Sequence, residues 1–187
     1  MANQTFRQAA LAALNCDDIM LAAYGNPDLY ELSASWSDPT DVQWGTDAGS
    51  EYYNQHDTEK AKELLKEAGY NNEKIVLVTT QDYPEMYNAT LVVQEQLKQA
   101  GINAEVETYD FSTFMEHRSD PQQFDMFITS NSYNMLPIQL SVLDSGWAGL
   151  NSSEVSEGIQ AIRSAASDEE AAAAWEKLQK FLYEYSA

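Results

Sequence analysis

The sequence has few of the residues from which catalytic and metal centres are built. Its 187 residues include one cysteine, Cys16, and two histidines, His56 and His117. One thiol cannot form an internal disulfide, and the two histidines do not have the spacing of paired metal ligands. We therefore expect Cys16 to be a buried, inert thiol and both histidines to lie at the surface, with no metal and no cofactor.

Basic residues are also scarce. Ten Lys and Arg stand against thirty Asp and Glu, which gives a formal charge of -20. Nucleic acid and anionic membrane surfaces repel such a chain, so neither is expected as a partner. No stretch approaches the roughly 18 consecutive apolar residues of a membrane span, and no signal peptide is recognisable. We expect no span, and an export signal that was removed or never included.

Motifs for catalysis are missing as well. The sequence has no glycine-rich phosphate loop, no nucleophile elbow and no paired-cysteine motif. Acidic pairs such as Asp17 with Asp18 lie at expected helix starts, where the helix dipole accounts for them. We therefore expect no enzyme and no catalytic residues.

Hydrophobic periodicity predicts alternating helices and strands. Apolar residues at helical spacing predict helices over 4–14, 17–24 and 58–68, the last with Asp57 as N-cap and Gly69 as its end. A β-branched run predicts a strand over 74–79 that is buried on both faces.

The rest of the chain continues this alternation. Pro84 opens a helix that ends at Gly101, and the alternating residues 104–107 predict a second, half-exposed strand parallel to the first. A short helix over 111–118 and a strand over 124–129 follow. Capping-box spacings predict two final helices, with Asn151 and Glu154 at the first and Ser167 and Glu170 at the second. The predicted fold class is α/β: one domain, 1–187, with a small mixed or mainly parallel sheet flanked by helices.

One long segment, 25–57, has no helical or strand period. Prolines, glycines and short polar residues interrupt it, and aromatic residues are spaced through it: Tyr30, Trp36, Trp44, Tyr52 and Tyr53. A loop of this length in a compact domain is usually functional. We expect its aromatic side chains to hold the loop against the core.

Two stretches carry a family resemblance. Residues 6–15 read FRQAALAALN, and Tyr53-Asn54 is followed at 57–70 by DTEKAKELLKEAGY. With the order of elements after them, these stretches resemble the family-5 extracellular solute-binding proteins, the dipeptide, oligopeptide and nickel-type receptors of ABC importers. The resemblance covers nearly all of residues 6–185.

The resemblance implies a periplasmic-binding-protein-like lobe of type II. The chain would be the second, mobile lobe, excised from a parent in which Gln4 and Tyr185 lie close together. Its partners would be a small-molecule or peptide solute, the missing first lobe and a membrane permease. The parent would work outside the cytoplasm, in a periplasm or as a cell-surface lipoprotein.

The resemblance also suggests ligand-binding residues. They are the loop after the third strand with Ser130, Asn131, Tyr133 and Asn134, together with Phe111, Arg118 and Trp147, and less strongly Tyr83 and Tyr87. Peptide receptors of the family place an aspartate in this loop to meet the peptide's α-ammonium group. Asn131 and Asn134 stand there without an acid, so ordinary peptide specificity is in question.

Two other functions stay open from the residues alone. A small α/β enzyme or flavodoxin-like domain would use the same strand ends, although no phosphate loop or acid-base set is visible. An acidic protein-interaction domain would bind a basic partner with strong salt dependence.

Overall fold

The computed structural model describes residues 3–130, 136–143, 150 and 152–185. The chain divides into two compact units. Unit 1 comprises Met1–Leu32 and Asn54–Ser130, and unit 2 comprises Ser33–Tyr53 and Asn131–Ala187. The expectations of a single domain and of adjacent chain ends stay predictions, since Gln4 belongs to unit 1 and Tyr185 to unit 2.

Unit 1 contains a parallel sheet and the helices that cover it. The helices are α1 (Gln4–Ala13), α2 (Cys16–Tyr24), α3 (Thr58–Glu67), α4 (Pro84–Gln99) and α5 (Phe111–Arg118). The strands are β1 (Ile75–Thr80), β2 (Ala104–Tyr109) and β3 (Met126–Phe127), in the order β2-β1-β3. Both pairings are parallel, which confirms the α/β class and the predicted parallel pair.

The central strand β1 is buried on both faces, as predicted. Ile75 and Leu77 belong to a core cluster built with α1, α3 and α4. Val76 and Val78 point to the opposite face and pack with a second cluster around Phe114 of α5. Since successive side chains of a strand alternate between faces, one apolar run supplies both cores.

The third strand is shorter than the predicted 124–129. Its backbone pairs with β1 only at Met126 and Phe127. At the residue before β3, the Val76 N–H donates to the Asp125 side chain, with 2.9 Å to Oδ2. The Asp125 N–H donates in turn to the Val76 carbonyl at 2.9 Å. A carboxylate therefore takes the place of one backbone acceptor, and the regular ladder starts late.

The segment before α3 is fixed to the end of α1. The Asp57 N–H donates to the Ala12 carbonyl at 2.8 Å, and the His56 N–H donates to the Leu14 carbonyl at 3.1 Å. Asn54 Oδ1 accepts from the Cys16 N–H at 2.7 Å. Asn54 and His56 have positive φ angles of 48° and 47°. These bonds give the Tyr53-Asn54 and Asp57 motif a structural role.

Asp57 is the N-cap of α3, as predicted, and its Oδ1 accepts from the Lys60 N–H at 2.8 Å. We expect Asp57→Ala to lower the free energy of unfolding by about 1 kcal/mol, because it removes the acceptor of a helix-end N–H. Asp57→Asn keeps an acceptor and should stay close to wild type. Urea denaturation followed by far-UV circular dichroism measures both; equal losses in the two variants would contradict the capping role.

Unit 2 contains α6 (Ser153–Ser164), α7 (Asp168–Tyr185) and short 3-10 turns. Apolar residues of both helices form its core around Trp175, which is fully buried. The N-cap of α6 is Ser152, one residue later than predicted, and its hydroxyl accepts from the Glu154 N–H. At α7 the Ser167 hydroxyl accepts from the Glu170 N–H at 3.2 Å, which confirms that cap.

The buried amide of Gln179 holds the irregular segment 33–53. Its Oε1 accepts from the Trp36 N–H at 3.0 Å, and its Nε2 donates to the carbonyls of Thr46 at 3.2 Å and Ala48 at 2.8 Å. Trp44 is buried in the same core, and the Trp175 Nε1–H donates to the Trp44 carbonyl at 2.9 Å. The expected anchoring role is thereby confirmed for Trp36 and Trp44.

Two of the expectations for single residues were wrong. Cys16 is half-buried, because it is the first residue of α2 and not part of a helix interior. His117 is also half-buried, with its ring stacked on Tyr109 at 4.1 Å between centroids. His56 is exposed, as expected. None of the helices among the described residues combines the length and apolar content needed to cross a membrane.

Candidate functional site

The carboxyl edge of the unit 1 sheet is the candidate site. The parallel strands β1 and β2 end side by side, with Thr80 paired to Tyr109. Three residues after Thr80 the chain reaches Tyr83 at the start of α4, and two residues after Tyr109 it reaches Phe111 at the start of α5. Ligands of α/β proteins commonly bind at this edge, outside the carboxyl ends of the strands.

Tyr83 and Phe111 form an aromatic pair at this edge. Their ring centroids lie 4.7 Å apart, within the range of favourable aromatic contacts. The Tyr83 side chain is 42% exposed, so much of this surface stays accessible. The Phe111 N–H donates to Asp82 Oδ2 at 2.7 Å, and the Asp82 N–H donates to Thr80 Oγ1 at 3.2 Å. These bonds join the loops that follow β1 and β2.

The aromatic pair rests on a buried aromatic layer. Phe114, one turn after Phe111 on α5, is fully buried, and the two rings lie 6.2 Å apart. The Phe114 ring also meets Phe127 of β3 edge-to-face at 6.3 Å. Because close-packed rings have few alternative positions, this layer holds the start of α5 in place.

Asp110 caps α5 next to the aromatic pair. Thr113 donates to its carboxylate twice, from the hydroxyl to Oδ2 at 2.7 Å and from the N–H to Oδ1 at 3.1 Å. These hydrogen bonds, chiefly that from the hydroxyl, lower the pKa of the Asp110 carboxyl, because they favour its charged form.

We expect the Asp110 carboxyl to titrate below the ordinary aspartate pKa, and Thr113→Val to raise this pKa by removing the hydroxyl donor. A carboxyl with a lowered folded pKa stabilises the fold above its unfolded pKa, and this contribution is lost as the pH falls through the folded pKa. Carbon-detected NMR titration measures the pKa directly. An unchanged Asp110 midpoint in Thr113→Val would contradict the assignment.

Arg118 lies at the other end of α5. Its Nη1 donates to Thr129 Oγ1 at 2.8 Å, and its guanidinium carbon lies 5.9 Å from the centroid of the Phe127 ring. Burial lowers the pKa of Arg118, but a guanidinium stays protonated in proteins. A partly desolvated guanidinium with several donors is suited to a carboxylate or another planar anion.

The structure brings together some of the predicted site residues. Tyr83 contacts Phe111, and Arg118 contacts Thr129, the neighbour of the exposed Ser130. Tyr87 is half-buried on α4, one turn after Tyr83. The remaining four lie outside the described residues: Asn131, Tyr133, Asn134 and Trp147. The ligand-binding role of all nine stays a prediction.

Sequence reasoning missed two residues that organise this edge. Asp82 fixes Phe111, and Thr129 accepts from Arg118. Asp82 lies two residues after the end of β1 and Thr129 two residues after the end of β3, and a polar residue just past a strand end is the signal that could have identified them. In the part of the chain that the structure describes, no three His, Cys, Asp or Glu side chains are grouped to hold a metal ion.

Comparison with known proteins agrees with this fold. The family model described as bacterial extracellular solute-binding proteins, family 5 Middle, matches residues 1–146. The "Probable peptide ABC transporter periplasmic-binding protein y4tO" of Sinorhizobium fredii is 35% identical over 131 residues, which are 67% of this chain and 25% of that protein.

Solved structures show the same fold over almost the whole chain. The substrate-binding protein CtaP of Listeria monocytogenes matches with a TM-score of 0.83 and 22% identity, over 98% of this chain and 38% of CtaP. The oligopeptide-binding protein AppA of Bacillus subtilis, in complex with a nonapeptide, matches with a TM-score of 0.78 and 21% identity, over 97% of this chain and 40% of AppA.

Each of these matches covers less than half of the other protein. The chain spans about a quarter of the length of its curated relative and about two fifths of the solved structures. The relatives that they name are substrate-binding receptors and not enzymes. Because the family model covers more than three quarters of the sequence and the fold agrees, the chain belongs to the bacterial extracellular solute-binding proteins of family 5.

Proposed function

We propose that this chain is the second lobe of a two-lobe receptor that binds a peptide or peptide-like solute outside the cytoplasm for an ABC importer. The observation that carries the proposal is the family match over residues 1–146, together with a fold shared with receptors of more than twice its length. We propose a binding role and not a catalytic one, with the first lobe supplied by the rest of a longer parent.

In this proposal the carboxyl edge of the unit 1 sheet supplies the closing contacts. The aromatic pair of Tyr83 and Phe111 contacts an apolar part of the solute, and its fixed position limits the ordering that binding requires. Arg118 binds an anionic group of the solute, with Thr129 holding the guanidinium. The two lobes close because the solute makes contacts in the closed state that the open state lacks.

The solute's ammonium group is expected to matter less than in ordinary peptide receptors. The family resemblance implies that peptide receptors have an aspartate where this chain has Asn131 and Asn134, and an amide does not form a charge-assisted bond of the same strength with an ammonium. We propose that blocking the amino terminus of a bound peptide by acetylation changes affinity by less than about tenfold.

Calorimetric titration of the longer parent tests the proposal. The parent should bind a member of a panel of di- to nonapeptides and small carboxylate solutes, and Phe111→Ala and Arg118→Met should each weaken that binding about tenfold or more. Val42→Ala, a fully exposed residue of unit 2, is the control and should bind as wild type.

Two results would overturn the proposal. One is a correctly folded parent that binds no member of the panel. The other is solute binding that Phe111→Ala and Arg118→Met leave unchanged; this would remove the carboxyl edge from the site even if the receptor function stood.

A further inference from the structure

The helix α2 has a composition that does not match its surroundings. Its residues 19–24 are all apolar, and a helix that is apolar all round belongs in an interior or an interface. Yet no residue of α2 is fully buried, and the side chains of Leu21 and Tyr24 are 45% and 43% exposed. The turn that follows, Pro27–Leu29, adds Leu29 with 64% exposure.

The local fold brings the turn that carries Leu29 back against α2, the helix that carries Leu21 and Tyr24. Leu21 and Tyr24 are three residues apart and so share one side of the helix. Gly25 adopts a left-handed conformation, with φ of 71°, and turns the chain back. Tyr30 then contacts Tyr24, with 6.4 Å between ring centroids, and its hydroxyl donates to the Asp17 carbonyl at 3.3 Å. Leu21, Tyr24 and Leu29 are called the α2 face.

The inner side of α2 already has its partners. Ile19 packs against the unit 1 core, and α2 lies along α4. The Asn15 N–H donates to Gln96 Oε1 at 3.0 Å, and Gln96 Nε2 donates to the Asn15 carbonyl at 3.2 Å, which fixes the start of α2 to α4. The α2 face is therefore the side that the fold of unit 1 leaves uncovered.

The α2 face lies in a stretch of sequence whose charges are all of one sign. No Lys or Arg occurs between Arg7 and Lys60. The acidic residues of α2 and of residues 25–31 are all exposed: Asp17, Asp18, Asp28 and Glu31. On the neighbouring α4 the single Lys is Lys98, close to Gln96 and thus at the other end of α2.

We propose that the α2 face is a docking surface for a basic amphipathic helix of another protein. The partner's apolar residues cover Leu21, Tyr24 and Leu29, and its Lys and Arg meet the acidic rim. A second copy of this chain would bring two acidic rims together, and an anionic membrane would repel the same rim. Charge complementarity therefore selects a cationic partner.

The test uses the 187-residue chain and a synthetic probe. The probe is a Leu/Lys peptide of about five helical turns with all its leucines on one face of the helix. The control is a scrambled peptide of the same composition, which has no continuous apolar face. We expect the amphipathic peptide to bind at least tenfold more tightly than the scrambled one and its affinity to fall as salt is raised. Backbone NMR shifts should change most in α2 and residues 25–31.

Variants separate the apolar contact from general attraction to an acidic protein. Leu21→Gln with Leu29→Gln keeps the net charge and should weaken peptide binding about tenfold. Val42→Gln, at a more exposed apolar residue of unit 2, should leave binding unchanged. Circular dichroism checks that the variants fold, and the NMR footprint on the unaltered chain does not depend on them.

Three outcomes would overturn the proposal. The first is equal affinity of the chain for the amphipathic and the scrambled peptide, or a loss of affinity in Val42→Gln as large as in Leu21→Gln with Leu29→Gln. The second is concentration-dependent dimerisation that Leu21→Gln abolishes, which would make the face a contact between copies. The third is loss of peptide binding in the longer parent, which would show that the parent itself covers the α2 face.

Discussion

Replacing Phe114 with alanine is expected to lower the free energy of unfolding of unit 1 by about 3–5 kcal/mol. Phe114 is fully buried, and it contacts the aromatic pair through Phe111 and the sheet through Phe127. Alanine leaves a cavity between α5 and the sheet that the close-packed rings cannot fill. The loss would therefore affect both the fold and the position of the candidate site.

Hydrogen exchange is the suitable measurement, because it reports on β1 directly, whereas Trp36, Trp44 and Trp175 belong to unit 2. The β1 amides should exchange faster in Phe114→Ala, and the free energy of opening derived from their exchange rates should fall by the same amount as the free energy of unfolding. Phe111→Ala is the matched control on the same helix, and its partly exposed ring should cost less than half as much. Equal losses would contradict the assignment of Phe114 as the base of the site.

Replacing Gln179 with leucine is expected to lower the free energy of unfolding of unit 2 by about 3 kcal/mol. Leucine has a similar volume, but it cannot accept from the Trp36 N–H or donate to the carbonyls of Thr46 and Ala48. A buried backbone group that loses its partner costs about 1–3 kcal/mol, and three such groups are affected.

Tryptophan fluorescence during urea denaturation follows this loss directly, since Trp36 and Trp44 lie in the segment that Gln179 holds. The matched control is Gln160→Leu at an exposed position of α6, which should stay within about 0.5 kcal/mol of wild type. A Gln179→Leu protein as stable as Gln160→Leu would show that the segment 33–53 is held by its aromatic residues alone.

The regular part of unit 1 was predictable because local and tertiary signals agree there. The β-branched run of β1 packs on both faces, Asp57 caps α3, and Gly69 and Gly101 lie past helix ends with positive φ angles. In each case the residue type that favours the local conformation also serves the packing.

The parts that sequence reasoning missed depend on long-range partners. The late start of β3 comes from the Asp125 carboxylate bonding to Val76, 49 residues away. The segment 33–53 is held by hydrogen bonds to the side chain of Gln179, more than 130 residues away. The start of α5 at Phe111 is held by a hydrogen bond to the carboxylate of Asp82. No local pattern predicts such pairs, because each needs two segments to be placed first.

The central proposal is that this chain supplies one wall of a binding site whose other wall belongs to the rest of a longer receptor. Calorimetric titration of the 187-residue chain and of its longer parent against the same panel of peptides and small solutes tests this most directly. We expect submicromolar binding of a panel member by the parent and no measurable binding of that solute by the chain alone. Submicromolar binding by the isolated chain would contradict it.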